Sequence, residues 1–94
     1  KLDVLDEAER AAVVERVARD FGSLTILVNN AGGGGPKPFD MPLADFERAF
    51  ALNVFATFRM CQLVAPYLKE AGGGAIINIS SMAGSNRNRR MCSY

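Results

Sequence analysis

Between Asp6 and Gly22, apolar positions recur at the spacing of an amphipathic helix, and charged positions fill the gaps between them. The apolar stripe consists of Val13, Val14, Val17, Ala18 and Phe21. Asp6 with Glu9 three residues later is typical of a capping box, and Gly22 suits the position that follows a last helical turn. The pattern therefore predicts a helix that begins after Asp6 and ends at Gly22.

Two short runs of consecutive apolar residues have the pattern of buried strands. They are "LTILV", from Leu24 to Val28, and "AIINIS", from Ala75 to Ser80. Continuous, β-branched runs of this length are typical of parallel strands that helices cover on both faces. The segment "LDV" near the start of the chain has the pattern of the end of a further strand.

A long helix is predicted between the two strands, roughly from Leu43 to Lys69. It has apolar residues on two sides, so we expect two packing partners, the sheet and a second subunit. One side carries Phe46, Phe50, Val54, Phe58 and Cys61, and another carries Leu52, Phe55, Ala56, Met60, Leu63 and Tyr67. Polar residues at Asn53, Arg59 and Gln62 interrupt the helix, so we do not expect it to cross a membrane.

The order helix, strand, helix, strand predicts an α/β fold with a doubly wound parallel sheet. Such sheets bind ligands at the carboxyl ends of their strands, where the loops after Val28 and Ser80 lie. Two strands make a small core, so we expect residues 1–94 to be the central portion of one larger domain.

Composition removes several classes of function. The net charge is +1, which gives no electrostatic basis for binding nucleic acid or a membrane surface. The chain has no histidine, which excludes Ser-His-Asp and Cys-His catalysis and histidine metal sites from it, and we expect no metal. Its two cysteines lie in unrelated contexts, which favours reduced thiols and a cytoplasmic protein.

Four short motifs occur in an informative order. They are "NNAG" at Asn29 to Gly32, "LNV" around Asn53, "INISS" ending at Ser81, and a tyrosine, Tyr94, thirteen positions further on. Each motif alone is weak, but together they make the whole chain resemble the short-chain dehydrogenase/reductase family. The resemblance implies a Rossmann-like dinucleotide-binding domain that transfers a hydride with NAD or NADP, with NAD favoured.

The resemblance implies roles for individual residues. Tyr94 would be the general acid/base, Ser81 would hydrogen-bond the substrate oxygen, and Asn53 would help hold a water in a proton relay. The plainer alternatives are that Ser81 caps a strand, that Tyr94 is a partly buried aromatic, and that a neighbouring main-chain group satisfies Asn53. Asn29 is expected to tie neighbouring strands together.

Cofactor and substrate contacts are implied in the same way. The resemblance implies that Asn30, Ala31 and Gly32 would lie near the adenosine ribose. Asp3 and Val4 would lie at the adenine ring, and Tyr94 would also contact the cofactor. The alternative for Asp3 is an ordinary turn before a helix. The residues expected to contact substrate are Gly34, Ser81, Asn86 and Tyr94.

The segments "NNAGGGGPKPFDMP" and "QLVAP" resemble bacterial family members that oxidise the 7α-hydroxyl of bile acids. A steroid substrate would need the space that Gly33, Gly34 and Gly35 leave open, although a flexible surface loop remains the alternative for Gly35. The other candidates are a 3-oxoacyl carrier-protein reductase, a sugar or polyol dehydrogenase, and a non-catalytic remnant.

The family commonly pairs the long helix with its symmetry mate, so the resemblance implies a homotetramer through Leu43–Lys69. Phe55, Met60 and Leu63 are expected on or near that interface. The family's glycine-rich turn would precede Lys1, and its catalytic lysine would follow Tyr94 by four positions. We therefore expect an internal portion of a longer enzyme, inactive by itself.

Overall fold

The structure, a computed structural model, describes residues 1–85 and residue 93. Its elements are α1 (Glu7–Phe21), β1 (Ile26–Asn29), α2 (Leu43–Phe50), a π-helical turn (Ala51–Phe55), α3 (Ala56–Glu70), β2 (Ala75–Asn78) and a 3₁₀ turn (Met82–Gly84). The two strands pair in parallel, with Ile26 opposite Ala75 and Asn29 opposite Asn78. The predicted α/β order and the parallel sheet are confirmed, with β1 beginning two residues later than the sequence indicated.

Helix α1 has the predicted bounds. The Asp6 carboxylate accepts a hydrogen bond from the Glu9 N–H at 2.9 Å, and Gly22 follows the helix with a left-handed φ of 76°. The Glu9 carboxylate accepts from the Asp3 N–H at 2.6 Å, where a complete capping box would engage the N–H of Asp6. The N–H of Asp6 instead donates to the Asp3 carbonyl at 3.1 Å, so the chain entering the helix forms a turn.

The core lies where α1 and α3 pack together and against β1. Its centre is Val14, Leu24, Met60 and Val64, and it is completed by Val13, Val17, Ala18, Leu27, Leu63, Tyr67 and Leu68. Met60 is only 7% exposed, so the prediction that it lies at a subunit interface is wrong. Leu63 is partly buried against the same core, next to α1, and its expected place near an interface stays a prediction.

The long helix is interrupted at its middle by a π-helical turn. There the Ala56 N–H bonds the carbonyl of Ala51, five residues earlier. A π turn shifts the side chains that follow it around the helix axis relative to a continuous α-helix. Phe55, the last residue of this turn, is 62% exposed. Residues five apart lie about 140° apart around an α-helix, so even a straight helix would not place Phe55 and Met60 on the same side.

In the part of the chain that the structure describes, the helices cover one face of the sheet and leave the other open. Ile26, Val28, Ile77 and Ile79 are exposed, so burial of the strands on both faces is wrong for residues 1–85. The segment Leu2–Val4 does not form a strand. Among the described residues the sheet has two strands, β1 and β2, and this segment does not pair with either of them. Of the two sheet faces predicted to be covered by helices, one is covered in residues 1–85 and the other is exposed.

The helical stretch Leu43–Glu70 is long and apolar enough to cross a membrane by length and composition, with a mean hydropathy of 1.2. A single helix of this kind is weak evidence, because the core helix of a soluble protein passes the same test. In this chain the second half of the stretch packs against α1 and the sheet.

Candidate functional site

A cleft of about 480 Å³ opens at the carboxyl ends of β1 and β2. Its lining is formed by Asn29–Gly32, Asn53, Val54, Thr57, Asn78–Ser81 and Gly84. The structure therefore brings together five of the residues predicted to act at the site. These five are Asn30, Ala31, Gly32, Asn53 and Ser81.

Asn29 connects the two strands through its side chain. Its amide donates to the side-chain oxygen of Asn78 at 2.9 Å, and its carbonyl accepts from the Ile79 N–H at 3.0 Å. The same amide lies 3.5 Å from the sulfur of Cys61 on α3. The predicted structural role of Asn29 is confirmed, and the floor of the cleft is fixed by it.

Asn53 lies in the π-helical turn and pairs with the backbone of Gly33. Its amide donates to the Gly33 carbonyl at 2.7 Å, and its side-chain oxygen accepts from the Gly33 N–H at 2.9 Å. A Cβ at Gly32 would lie 3.0 Å from that same oxygen, so a glycine there lets the loop approach the helix. The structure thus shows that main-chain groups satisfy the Asn53 amide, and the expected role of Asn53 in holding a relay water stays a prediction.

The glycine loop that begins after Ala31 is fastened at two points. Asn53 holds Gly33, and further along Lys37 forms an ion pair with Asp45 of α2 at 3.1 Å. Between them Gly34 has a φ of 121°, a backbone conformation that L side chains rarely adopt. A conformational reason for glycine at this position is therefore present whether or not a ligand also needs the space.

Ser81 is exposed at the end of β2 and caps the 3₁₀ turn that follows. Its hydroxyl oxygen accepts a hydrogen bond from the Ala83 N–H at 3.2 Å. The capping role is thus present, on a turn instead of a strand. Because the oxygen is the acceptor in this bond, the hydroxyl proton stays able to donate to a ligand in the cleft.

A second cavity of about 280 Å³ adjoins the cleft and is lined in part by Val4. The two cavities share Asn29, Asn30, Ala31 and Thr57 as lining residues. Together they extend along the sheet edge from Val4, in the turn that precedes α1, to Ser81. A path of this shape suits an elongated ligand better than a compact one.

A cluster of charged side chains lies beside the Val4 turn. The Glu7 carboxylate accepts from Arg59 of α3 at 2.7 Å and from Arg10 at 2.5 Å. These bonds, with Arg59 contributing more than Arg10, lower the pKa of Glu7 from its usual 4.5 to about 2. The Glu7 bond also raises the pKa of Arg59. Sequence reasoning missed this cluster, although the Glu7–Arg10 spacing was visible in it.

A sequence profile described as short chain dehydrogenase matches residues 1–94. The chain belongs to the short chain dehydrogenase family. Across all 94 residues it is 53% identical to 7alpha-hydroxysteroid dehydrogenase of Escherichia coli strain K12, of which it covers 37%. Over 82 residues, or 86% of the chain, it is 44% identical to D-threitol dehydrogenase of Mycolicibacterium smegmatis, of which it covers 32%.

Solved structures of short chain dehydrogenases agree with this assignment. A 7 alpha-hydroxysteroid dehydrogenase complexed with NADH and 7-oxo glycochenodeoxycholic acid superposes with a TM-score of 0.96 at 54% identity, over 99% of this chain and 36% of that one. NAD⁺-bound xylitol dehydrogenase gives a TM-score of 0.91 at 36% identity, over 99% and 36%. The family and the Rossmann-like fold predicted from the sequence are therefore confirmed.

The chain spans about a third of the length of these short chain dehydrogenases. Two of the predicted site residues, Asn86 and Tyr94, lie outside the described residues. Their roles at the substrate and in proton transfer stay predictions. Gly34, Asp3 and Val4 are described, and their contacts with substrate and cofactor likewise stay predictions.

Proposed function

We propose that the protein is an oxidoreductase that transfers a hydride between NAD(P) and a steroid, acting on the 7α-hydroxyl of bile acids. The observation that carries the proposal is the 53% identity to a 7alpha-hydroxysteroid dehydrogenase across all 94 residues. NAD is favoured over NADP, since one structural relative holds NADH and another holds NAD⁺. We place the enzyme in the cytoplasm as a further part of the same proposal.

The lining of the cleft fits a dinucleotide. Ala31 and Gly32 present main-chain groups with little or no side chain between them and a ligand, and Asn30 adds an amide that can donate and accept. The adjoining cavity extends toward Val4, where Asp3 and Val4 would read the adenine ring. The nicotinamide ring of a dinucleotide bound in the cleft would supply or take up the hydride.

The remaining steps belong to side chains of the protein. Ser81 donates a hydrogen bond from its hydroxyl to the substrate oxygen and so holds the reacting carbon in place. The Ala83 N–H, which donates to the Ser81 oxygen, fixes the direction of that hydroxyl. Tyr94 exchanges a proton with the same substrate oxygen as general acid/base. A free phenol has a pKa of about 10, so this role needs a neighbouring positive charge that favours the phenolate.

Asn53 helps to shape the part of the cleft that would hold the substrate, because it holds the main chain of Gly33 in place. Its two hydrogen bonds hold the start of the glycine loop against the π-helical turn. Gly34 follows immediately, and we place the steroid against it. A loop fastened at Gly33 and at Lys37 offers a preformed wall, which lowers the entropy lost when a rigid ligand binds.

A polyol dehydrogenase is the second candidate. The 44% identity to D-threitol dehydrogenase over 86% of the chain favours it over the other rivals. A 3-oxoacyl carrier-protein reductase shares the catalytic residues, and a non-catalytic remnant would lack turnover on every substrate. The kcat/KM values of the intact protein for a 7α-hydroxy bile acid and for a four-carbon polyol discriminate these alternatives.

Two variants of the intact protein test the mechanism. Tyr94→Phe removes only the phenolic oxygen, so we expect kcat to fall roughly 10²–10⁴-fold while the affinity for NADH stays nearly unchanged. Ser81→Ala removes the donor to the substrate oxygen, so we expect a fall of roughly 10²-fold or more.

Ser85→Ala is the matched control for Ser81→Ala. The Ser85 hydroxyl belongs to the same turn and donates to the Met82 carbonyl at 3.2 Å. We expect this variant to keep its kcat. Near-normal oxidation by Tyr94→Phe, or equal effects of the two serine changes, would contradict the proposed mechanism.

A further inference from the structure

The turn that carries Asp3 and Val4 is folded back onto the start of α1. The Asp6 N–H donates to the Asp3 carbonyl at 3.1 Å, and the Asp3 N–H donates to the Glu9 carboxylate at 2.6 Å. Both ends of Asp3's main chain are therefore engaged by residues of the helix start. These two bonds do not fix the orientation of the next peptide group, which joins Val4 to Leu5.

That peptide group is held at both of its polar atoms. The Val4 carbonyl accepts from the guanidinium of Arg10, and the Leu5 N–H donates to Oδ1 of Asp3 at 2.9 Å. Because a peptide group is planar, fixing the direction of its carbonyl also fixes the direction of its N–H. Arg10 thereby sets the N–H that orients the Asp3 carboxylate.

Arg10 is itself held rigidly. Its side chain is only 12% exposed, and its Nε and Nη2 both bond one oxygen of Glu7, at 3.1 and 2.5 Å. The other oxygen of Glu7 accepts from Arg59 of α3 at 2.7 Å. The planar guanidinium of an arginine engages several acceptors in fixed directions, which a lysine ammonium does not. The turn is thus connected through Arg10 and Glu7 to the central helix of the fold.

We propose that Arg10 is a positioning residue for the adenine end of the dinucleotide, acting through the Val4–Leu5 peptide group and the Asp3 carboxylate. The inference rests on the proposed function, in which Asp3 and Val4 read adenine. With Oδ1 occupied by Leu5, the Asp3 carboxylate still has Oδ2 to accept from the amino group of the base. Arg10 contacts neither the base nor the reacting atoms, so its loss affects adenine binding and leaves the hydride step alone.

Binding measurements on the intact protein test this role. Arg10→Met removes the donors and keeps much of the side chain's length. Arg16→Met on the same helix removes an exposed arginine whose one ion-pair partner among the described residues is Asp20. We expect Arg10→Met to raise the Kd of NADH and of 5′-AMP by about tenfold, the loss typical of one charge-assisted hydrogen bond. The Kd of reduced nicotinamide mononucleotide and the kcat at saturating NADH stay at wild-type values, and Arg16→Met changes none of these.

Arg10→Lys supplies a milder variant of the same site. A lysine keeps the charge and can reach one acceptor, so we expect a smaller rise in the Kd of 5′-AMP than with methionine. An unchanged Kd of 5′-AMP in both Arg10 variants, or a fall in kcat and melting temperature parallel to the loss of affinity, would overturn the positioning role. A wild-type protein that binds neither NADH nor 5′-AMP would instead contradict the proposed function, and the inference with it.

Discussion

The four glycines after Ala31 have different physical reasons to be glycine. A Cβ at Gly32 would approach the side-chain oxygen of Asn53 to 3.0 Å, and one at Gly33 would approach Cδ2 of Leu52 to 3.1 Å. Gly34 has a φ of 121°, while a Cβ at Gly35 would meet nothing within 4 Å. The loop is therefore shaped by its contact with the π-helical turn up to Gly33 and by backbone conformation at Gly34.

A pair of valine substitutions in the intact protein separates backbone strain from ligand space. We expect Gly34→Val to lower the free energy of unfolding by ~1–2 kcal/mol, because a side chain at a positive φ crowds the backbone. Gly35→Val, which has no such strain, should leave it nearly unchanged. Urea unfolding of both variants gives this comparison. A rise in the KM for a bile acid without loss of stability in Gly34→Val would show that the position serves ligand space alone.

Individual residues differ in how far the sequence could specify them. Asn29 could be placed, because an amide at the end of a buried strand needs a partner and the next strand offers one. The partner of Asn53 could not be named, since it is a main-chain group of Gly33, twenty positions away along the chain. Arg10 was missed because its acceptor is a carbonyl, and the sequence does not mark which carbonyls are bent toward a helix.

Among the elements, α1 and α3 are joined outside the core by an ion pair between Glu7 and Arg59. It lowers the pKa of Glu7 from 4.5 to about 2, so folding favours the charged carboxylate. Its stabilising contribution is complete above the unfolded value and is lost as the pH falls from about 4.5 through 2. In the intact protein we expect Glu7→Gln to lower the melting temperature at pH 7 and to have a smaller effect at pH 2.5.

Glu15→Gln is the matched control, since Glu15 lies on the exposed side of the same helix. Its melting temperature should differ from the wild type's by a similar small amount at both pH values. Raising the salt concentration should reduce the effect of Glu7→Gln at pH 7, because both partners are accessible to solvent. Equal destabilisation by Glu7→Gln at pH 7 and pH 2.5 would contradict the assignment.

Helix boundaries followed from the sequence more closely than helix faces did. Asp6 and Gly22 mark the ends of α1 by local chemistry that the neighbouring residues reveal. The π-helical turn at Ala51–Phe55 has no comparable local signal, and it changes which side chains share a face. The grouping of Phe55 with Met60 failed because residues five apart lie about 140° apart around an α-helix, although the existence of the helix was predicted correctly.

At the scale of the whole molecule, the alternation of helices and strands was sufficient to predict the fold class. The number of layers was not, because burial of a strand on both faces needs elements beyond those found in residues 1–85. The exposed residues on the sheet are Ile26, Val28, Ile77 and Ile79. A doubly wound sheet has helices on both faces, so this surface is the one that the same domain of a complete short chain dehydrogenase would cover.

A different exposed surface lies on the long helical stretch formed by α2, the π-helical turn and α3. Phe50, Val54, Phe55 and Phe58 are exposed on it, and the ring centroids of Phe50 and Phe55 are 6.5 Å apart. They lie away from the core that Met60 and Val64 form with α1. We propose that this helical surface contacts a second subunit in a homotetramer, because its exposed aromatic side chains lie next to one another on one helix.

Replacement of one aromatic residue on this surface tests the assembly. In a two-fold interface each substitution occurs twice, and each buried phenylalanine contributes ~1.5–3 kcal/mol. We therefore expect Phe55→Arg in the intact protein to raise the dissociation constant of the assembly by at least roughly 10²-fold and to shift it toward smaller species in sedimentation velocity. Phe21→Arg, at an exposed phenylalanine on α1, should leave the sedimentation coefficient unchanged. A wild-type protein that sediments as a monomer, or a Phe55→Arg variant that stays tetrameric, would rule out this helical surface as the interface, and the exposed phenylalanines would then need another partner.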